Sequence, residues 1–221
     1  MYNMIELFCG SGEVNRAFNK VGFNTFSIDI RQRKGVCEPD LRQDILSIKY
    51  PVLLNDIQKK YPNWYDVDVI FASVPCEKFS IAANGNHFNG SMPKTEEGIQ
   101  AQRLLKKTIQ LIEEIKPTYF FIENPRGAMR YNKEMIKFLI RNRGTIIELF
   151  WGAYNFPTPK PTNIFTNAYF LPVRPPVPYG RGFKSNVNFD NLTTNQRQSI
   201  PVEFCDELAE YMKTMCFEYE F

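Results

Sequence analysis

The chain has 221 residues, of which 43% are hydrophobic and 23% charged, and its 27 basic and 24 acidic side chains give a net charge of +3. This balance is typical of a globular protein rather than a disordered tail, and the length suits one α/β domain with at most a small second module. The slight positive charge permits contact with a polyanion without requiring it.

Targeting, disulfide and metal signals are absent from the sequence. No run approaches the roughly 18 apolar residues of a membrane span, and residues 1–8 enter a predicted strand rather than a signal segment. We therefore expect no membrane association and a cytoplasmic location. The five cysteines include no CxxC pair and His87 is the single histidine, so we expect no disulfide framework and no metal site.

Six apolar runs that predict strands alternate with longer segments of mixed polarity. They lie at 4–8, 24–30, 67–74, 118–122, 145–150 and 163–171. The alternation predicts βα units around a mostly parallel sheet, hence an α/β fold. Apolar residues recur at helical spacing from 101 to 115 and stop before Pro117, which predicts an amphipathic helix, and a closing helix is expected from Pro201.

A glycine turn and an acid suggest a nucleoside ligand. The first predicted strand leads to Phe8-Cys9-Gly10-Ser11-Gly12, where backbone amides at a helix start can approach a negative group. Asp29 ends the second strand, where an acid can accept hydrogen bonds from ribose hydroxyls; a capping or turn role is its alternative. The third glycine of the dinucleotide fingerprint is missing, so a mononucleoside ligand is favoured over a dinucleotide.

Two later strands end on reactive groups. Val74-Pro75-Cys76 stops the third predicted strand at a thiol, and Phe121-Ile122-Glu123-Asn124 closes the fourth on an acid. The carboxyl ends of such strands bind ligands in open α/β sheets, so the two side chains are expected to meet there. A lone cysteine is more often a small buried hydrophobe, and we keep that interpretation for Cys9, Cys37, Cys205 and Cys216.

In order and rough spacing, these elements resemble the DNA cytosine-5 methyltransferase family. The resemblance rests on Phe8-Cys9-Gly10-Ser11-Gly12, Asp29, Asp44-Ile45, Pro75-Cys76-x-x-Phe79-Ser80 and Glu123-Asn124, and covers about residues 4–170 plus the last helix. It implies a Rossmann-like methyltransferase fold with helices on both faces of the sheet. It also implies S-adenosylmethionine as methyl donor, S-adenosylhomocysteine as product, no metal, and DNA as partner.

The resemblance assigns roles to individual residues. Phe8 would contact the adenine, Asp29 the ribose and Asp44 the adenine amino group, although Asp44 could instead cap a helix. The full set implied for the cofactor is Phe8, Gly10, Ser11, Gly12, Asp29, Ile30, Asp44, Ile45 and Pro75. Cys76 would attack carbon 6 of a flipped-out cytosine and Glu123 would act near ring nitrogen 3 as general acid. The segment from Glu77 to Gly98 has the composition of a lid.

Two departures from the family concern the base pocket and target recognition. Lys160 and Thr162 stand where the family carries paired arginines, and Lys and Arg are not equivalent there. Lys160 is the candidate for the lost base contact; the alternatives are that a neighbouring group makes this contact or that the base pocket has changed. The region predicted to read DNA is only 172–199, between a catalytic domain at 1–171 and a C-terminal helix at 200–221. Candidate nucleic-acid contacts are Ser80, Arg126, Thr162, Arg174, Arg181 and Lys184, with Arg197 also in the basic loop; a solvated loop is the alternative.

The short recognition region predicts low or short sequence specificity, or a partner protein that supplies it. We expect a monomer or weak dimer, and a stand-alone protective modification enzyme of phage or bacterial type. Two rivals remain. One is an RNA cytosine-5 methyltransferase, which would recognise a structured RNA such as tRNA by its shape. The other is a catalytically silent module that binds cofactor and DNA. A dehydrogenase is disfavoured by the missing glycine.

Overall fold

A seven-stranded sheet runs through the part of the chain that the computed structural model describes, residues 1–31, 38–80, 85–176 and 191–218. Its strands are β1 (Asn3–Leu7), β2 (Asn24–Asp29), β3 (Leu41–Arg42), β4 (Val69–Ser73), β7 (Tyr119–Pro125), β8 (Thr145–Phe150) and β9 (Pro161–Thr166), and a separate antiparallel hairpin is formed by β5 (Phe88–Asn89) and β6 (Met92–Pro93). The order is β3-β2-β1-β4-β7-β9-β8. The pairs from β3 to β7 are parallel, and β9 is antiparallel to both neighbours. The predicted mostly parallel sheet is confirmed.

Helices cover both faces of this sheet, as predicted. Their bounds are α1 (Glu13–Lys20), α2 (Tyr50–Lys60), α3 (Glu96–Ile115), α4 (Lys133–Arg141), α5 (Thr194–Gln198) and α6 (Val202–Glu218). Buried side chains of α1 and α6 share one apolar cluster, and those of α2, α3 and α4 share the other, because alternate strand residues point to opposite faces. The predicted α/β fold class, with helices on both faces of the sheet, follows from this arrangement.

Two strand boundaries differ from the sequence prediction. Strand β9 ends at Thr166 instead of continuing to Leu171, because the side chain of Asn167, rather than its backbone, forms the next hydrogen bonds to the neighbouring segment. Its Oδ1 accepts from the Phe120 amide at 3.0 Å and its Nδ2 donates to the Thr118 carbonyl at 2.9 Å. Strand β7 continues beyond Ile122 to Pro125, so Glu123 lies within the strand rather than after it.

The predicted helices agree well with the structure. Helix α3 begins at Glu96, earlier than the apolar spacing indicated, because Thr95 Oγ1 caps it by accepting from the Gly98 amide at 3.1 Å. Helix α6 starts directly after Pro201 and packs against α1. Part of the predicted lid is the β5–β6 hairpin, which stacks Phe88 on Phe79 with ring centroids 4.8 Å apart. None of the helices in the described ranges is both long and apolar enough to cross a membrane.

Candidate active site

Two adjacent strands position the Cys76 thiol and the Glu123 carboxyl group. Strand β4 ends at Ser73, which is paired in register with Glu123 of β7, and the chain reaches Cys76 three residues later. Pro75, which lies between Ser73 and Cys76, stops the strand, since a proline can donate no hydrogen bond to the ladder. The Cys76 carbonyl then accepts from the amides of Phe79 and Ser80, both at 3.0 Å, which forms a tight turn.

Glu123 is a buried acid with an unpartnered oxygen. Only 6% of the residue is exposed, and Oε1 has no hydrogen-bond partner within the described structure. Burial raises the pKa of Glu123 to about 7, while the charge of Lys160 opposes the rise. At neutral pH this carboxyl group can therefore hold or release a proton, as a general acid must.

Cys76 is the half-buried member of the pair. Burial, followed by the negative charge of Glu123, raises its pKa to about 11, and the positive charge of Lys160 acts in the opposite direction. The free thiol is therefore protonated at neutral pH. Cys205 and Cys216 are buried in the apolar cluster shared by α1 and α6, and Cys9 is also buried, as the alternative interpretation of these cysteines predicted; Cys37 lies outside the described residues.

Lys160 links the acid and thiol to the segment that precedes α6. Its Nζ donates to the carbonyl of Arg197 at 2.6 Å and approaches that of Ser199 at 3.5 Å, and it lies 5.1 Å from the centre of the Phe156 ring. Burial lowers the pKa of Lys160, and the charges of Glu123 and Cys76 counteract this. The structure thus brings Lys160 close to both predicted catalytic groups, but also uses it as an anchor.

Thr162 is fully buried beside this lysine. Its Oγ1 donates to the Lys160 carbonyl at 3.2 Å, and its register partner on β7 is Pro125. Directly paired strand residues and every second residue share one face. Thr162 therefore faces the same side of the sheet as Glu123, but its hydroxyl is engaged by backbone.

Two residues that fix the position of the candidate active-site loops were not predicted from the sequence. Asn124 is fully buried and its Nδ2 donates to the Val74 carbonyl at 2.9 Å, which ties β7 to the turn that carries Cys76. Gly127 is bridged to Ser80, and any Cβ on it would clash with the carbonyl oxygen of Phe79. A glycine three residues beyond the Glu-Asn pair is the only sequence signal that could have indicated this close approach.

The predicted cofactor residues gather at the carboxyl ends of four adjacent strands, β3, β2, β1 and β4. Phe8, Gly10 and Gly12 have positive φ angles of 60°, 52° and 73°, which a sharp strand-to-helix turn requires. Asp29 holds this turn, because its Oδ2 accepts from the Gly10 amide at 3.0 Å while its Oδ1 accepts from the Arg31 amide at 2.8 Å.

The remaining cofactor candidates divide into exposed and buried residues. Ile30 is 55% exposed and Pro75 is exposed, while Ser11 is half-buried, so all three can meet a ligand at this edge. Asp44 caps a short 3₁₀ helix by accepting from the Leu46 amide at 3.0 Å, which confirms the capping alternative. Ile45 is buried in the core.

These residues fit the nucleoside part of S-adenosylmethionine. Each oxygen of Asp29 accepts one backbone amide in the structure, and a carboxylate oxygen has a second lone pair for a ribose hydroxyl. The half-buried Phe8 ring and exposed Ile30 offer apolar surface beside it. Within the described ranges, no group of three or more His, Cys, Asp or Glu side chains is placed to hold a metal ion.

The nucleic-acid candidates separate in space. Ser80 and Arg126 lie on the two loops that follow Cys76 and Glu123. Arg174 lies elsewhere: its Nε donates to Glu207 of α6 at 2.9 Å, its Nη1 donates to the Ala153 carbonyl, and it lies over the Tyr154 ring. These contacts anchor the segment around Arg174 to α6, and they do not support a phosphate contact by Arg174. The predicted contacts of Arg181 and Lys184 lie outside the described residues.

Comparison with known proteins gives the family. The model of the C-5 cytosine-specific DNA methylase family matches residues 2–149. The chain is 25% identical over 139 residues to the type II methyltransferase M.AquIA of Picosynechococcus sp., covering 59% of this chain and 51% of that relative. It is 25% identical over 164 residues to M.Sau96I of Staphylococcus aureus, covering 70% of this chain and 34% of the relative. The chain spans about half or less of the length of these relatives.

Solved structures agree on the fold. The methyltransferase EhMeth of Entamoeba histolytica aligns with a TM-score of 0.52 and 19% identity, over 79% of this chain and 55% of that structure. The Dnmt2 methyltransferase of S. pombe aligns with a TM-score of 0.51 and 16% identity, over 75% and 50%. Because the family model covers more than half of the chain, the chain belongs to the C-5 cytosine-specific DNA methylase family.

Proposed function

We propose that this chain is an S-adenosylmethionine-dependent DNA cytosine-5 methyltransferase in which Cys76 is the nucleophile and Glu123 the general acid. One observation carries the proposal: a half-buried thiol on the turn that follows β4 and a buried carboxyl group with an unpartnered oxygen on the adjacent strand β7 stand at the same edge of the sheet. Membership of the C-5 cytosine-specific DNA methylase family gives this pair its chemical context.

In the proposed reaction, Cys76 Sγ bonds to carbon 6 of cytosine as the thiol proton leaves, and Glu123 donates its proton to ring nitrogen 3. The protonation removes the negative charge that attack would place on the ring. Carbon 5 becomes nucleophilic enough to take a methyl group, which S-adenosylmethionine supplies when bound. Loss of the carbon-5 proton to water, departure of Sγ as a thiolate that regains a proton, and return of the nitrogen-3 proton to Glu123 then restore the ring and both side chains.

The protein groups support this chemistry in different ways. The pKa of Glu123, about 7, favours proton transfer near neutral pH. Lys160 opposes the rise in the pKa of the Cys76 thiol and lies close enough to Glu123 to influence it. Phe8, Gly10, Ser11, Gly12, Asp29, Ile30 and Pro75 would hold the methyl donor, and Asp44 and Ile45 would shape its adenine side. The target base must leave the duplex to reach this edge.

The target is proposed to be short or loosely specified. Residues 167–201 are all that separate β9 from α6, and direct readout of several base pairs needs a scaffold that delivers side chains into a groove. A protective modification role in a phage or bacterium, or a partner protein that supplies specificity, fits this limit. Detection of a long, strict target sequence read by this chain alone would contradict it.

The test is transfer of labelled methyl groups to unmethylated genomic DNA and to total tRNA, with 5-methylcytosine identified by mass spectrometry. We expect label in DNA with the wild type and none with Cys76→Ala, while Glu123→Gln should be slowed by a factor on the order of 10². Cys216→Ala, a buried cysteine of α6, is the matched control. Label in tRNA alone, or no label despite bound cofactor, would contradict the proposal.

A further inference from the structure

A cleft of about 470 Å³ opens beside the turn that carries Cys76. One wall is the loop that follows Glu123, and the other is formed by residues after Cys76 and by the β5–β6 hairpin. Three cations, Lys78, Arg126 and Arg130, line it together with Tyr131. The volume lies in the range of small-ligand sites, about 300–1,000 Å³, which suits a nucleotide and is far too small for a duplex.

The cleft combines a positive rim with aromatic surface. Arg126 Nε and Arg130 Nη1 lie 3.5 and 3.3 Å from the same oxygen of Glu148, so one carboxylate is shared by two guanidinium groups and Lys78 adds a further charge. The guanidinium of Arg130 lies 5.5 Å from the centre of the exposed Tyr131 ring. The stacked rings of Phe79 and Phe88 form an apolar floor. Such a surface suits a phosphate together with a base.

The cleft is fixed to the candidate active site by backbone contacts. The Arg126 amide donates to the Pro161 carbonyl, next to Lys160, at 2.9 Å, and the Ala128 amide donates to the Phe79 carbonyl at 2.7 Å. Arg126 follows Glu123 by three residues, a chain distance of at most about 11 Å. A ligand here would therefore lie about one nucleotide step from the reacting base.

We infer that this cleft is a nucleotide subsite, which holds the phosphate and base of a DNA nucleotide adjacent to the target cytosine on the same strand. The inference rests on the proposed function for the identity of the target base. Arg126 and Lys78 contact the phosphate, and the neighbouring base stacks on Tyr131 and the Arg130 guanidinium. The enzyme thereby binds an unstacked segment of the DNA strand without a large recognition domain.

The experiment measures binding of a fluorescent single-stranded 12-mer DNA with one central cytosine, over a salt series, in a Cys76→Ala background that excludes turnover. We expect Tyr131→Ala to weaken binding at least about fivefold with little change in salt dependence, because stacking on aromatic side chains is not ionic. Arg126→Ala should lower the slope of log K against log salt by about 0.7, the value for one phosphate contact on a single strand. Lys137→Ala, an exposed lysine of α4, should change neither.

A crosslinking arm keeps the inference testable if a variant misfolds. In the unaltered chain, 5-iododeoxyuridine placed next to the cytosine should crosslink on irradiation to the peptide that contains Tyr131. Crosslinks confined to other peptides, binding of cleft variants equal to that of Lys137→Ala, or tighter binding of the matching RNA 12-mer would overturn the subsite. Because these readouts need no methyl transfer, failure of the proposed reaction would leave them unchanged.

Discussion

Asn124 donates from Nδ2 to the carbonyl of Val74 at 2.9 Å, and this hydrogen bond joins the strand that carries Glu123 to the turn that carries Cys76. The amide is fully buried, so water cannot replace the bond if it is lost. The Glu-Asn pair therefore has two separate tasks, since Glu123 presents a carboxyl group and Asn124 fixes the position of the thiol relative to it.

Asn124→Leu should impair both stability and methyl transfer. The substitution leaves the Val74 carbonyl without its partner, at a cost of about 1–3 kcal/mol for a buried polar group. Urea denaturation and the methyl-transfer assay would measure the two effects. Asn142→Leu is the matched control, because Asn142 Nδ2 also donates to a carbonyl, that of Phe138, but at the end of α4. Equal losses of methyl transfer in both variants would contradict a specific role for Asn124.

Gly127→Ala should uncouple the two loops that flank the candidate active site. The new Cβ would clash with the Phe79 carbonyl oxygen, so the loop after Glu123 must move away from the turn after Cys76. Overpacking of this kind typically costs about 1–3 kcal/mol, and we expect methyl transfer to fall more than tenfold while the cofactor still binds. Calorimetric titration with the cofactor and the transfer assay would separate these effects.

Gly22→Ala is the control for this substitution. Gly22 has a φ of 99°, so alanine is strained there, but open space surrounds the position. It should lose stability without a specific loss of activity in the folded fraction. If Gly127→Ala retains full activity, the contact with Phe79 does not position the active site.

The reactive residues were predictable because their signals are local. A proline that ends an apolar strand places Cys76 at the sheet edge, and Glu123 lies near the carboxyl end of a second buried strand, so an apolar run and a strand terminator suffice to bring them to the same edge. Even the capping alternative for Asp44 came from a local pattern, and the structure confirms it.

Long-range backbone contacts were not predictable. The Lys160 ammonium meets carbonyls of Arg197 and Ser199, 37 and 39 residues away, and no local pattern encodes which carbonyls a lysine will reach. The same applies to Arg174, which was expected to contact phosphate but pairs with Glu207. Where two segments meet depends on packing of the whole sheet, which single-sequence patterns do not specify.

Lys160 should control the reactivity of the Cys76 thiol. Removing its charge in Lys160→Met lets the pKa of Cys76 rise further above its ordinary value, because burial and the negative charge of Glu123 then act on it without an opposing positive charge from Lys160. Since each unit of pKa changes the thiolate fraction about tenfold, we expect alkylation by iodoacetamide at pH 8.5 to slow by about three- to tenfold. Peptide-level mass spectrometry would follow Cys76 separately from the other cysteines.

The charge-conserving variant separates electrostatics from anchoring. Lys160→Arg keeps a cation and donors for the carbonyls of Arg197 and Ser199, so it should retain most of the alkylation rate. Lys137→Met removes an exposed charge from α4 and should leave the rate unchanged. A Lys160→Met variant that reacts as fast as the wild type would refute the influence of Lys160 on the thiol.

Glu6→Gln should change how stability depends on pH. Glu6 lies buried in β1, and its Oε2 accepts from the Asn15 amide at 3.0 Å at the start of α1. Burial raises its pKa to about 8; the Asn15 hydrogen bond lowers it, and the charge of Asp29 raises it further. The folded state therefore retains a proton that the unfolded chain releases above its ordinary pKa of 4.5.

The sign follows from proton binding. The stabilisation from a protonated Glu6 is complete below pH 4.5 and is lost as pH rises towards 8, at up to about 1.4 kcal/mol per pH unit. Glutamine does not titrate. The free energy of unfolding of Glu6→Gln minus that of the wild type should therefore increase between pH 4.5 and 8 and stay constant above pH 8. Urea denaturation of both proteins at pH 5, 6, 7 and 8 measures the difference. Because Glu123 titrates with a pKa of about 7 in both proteins, its contribution cancels, and a constant difference across the series would show that Glu6 is ionised in the fold.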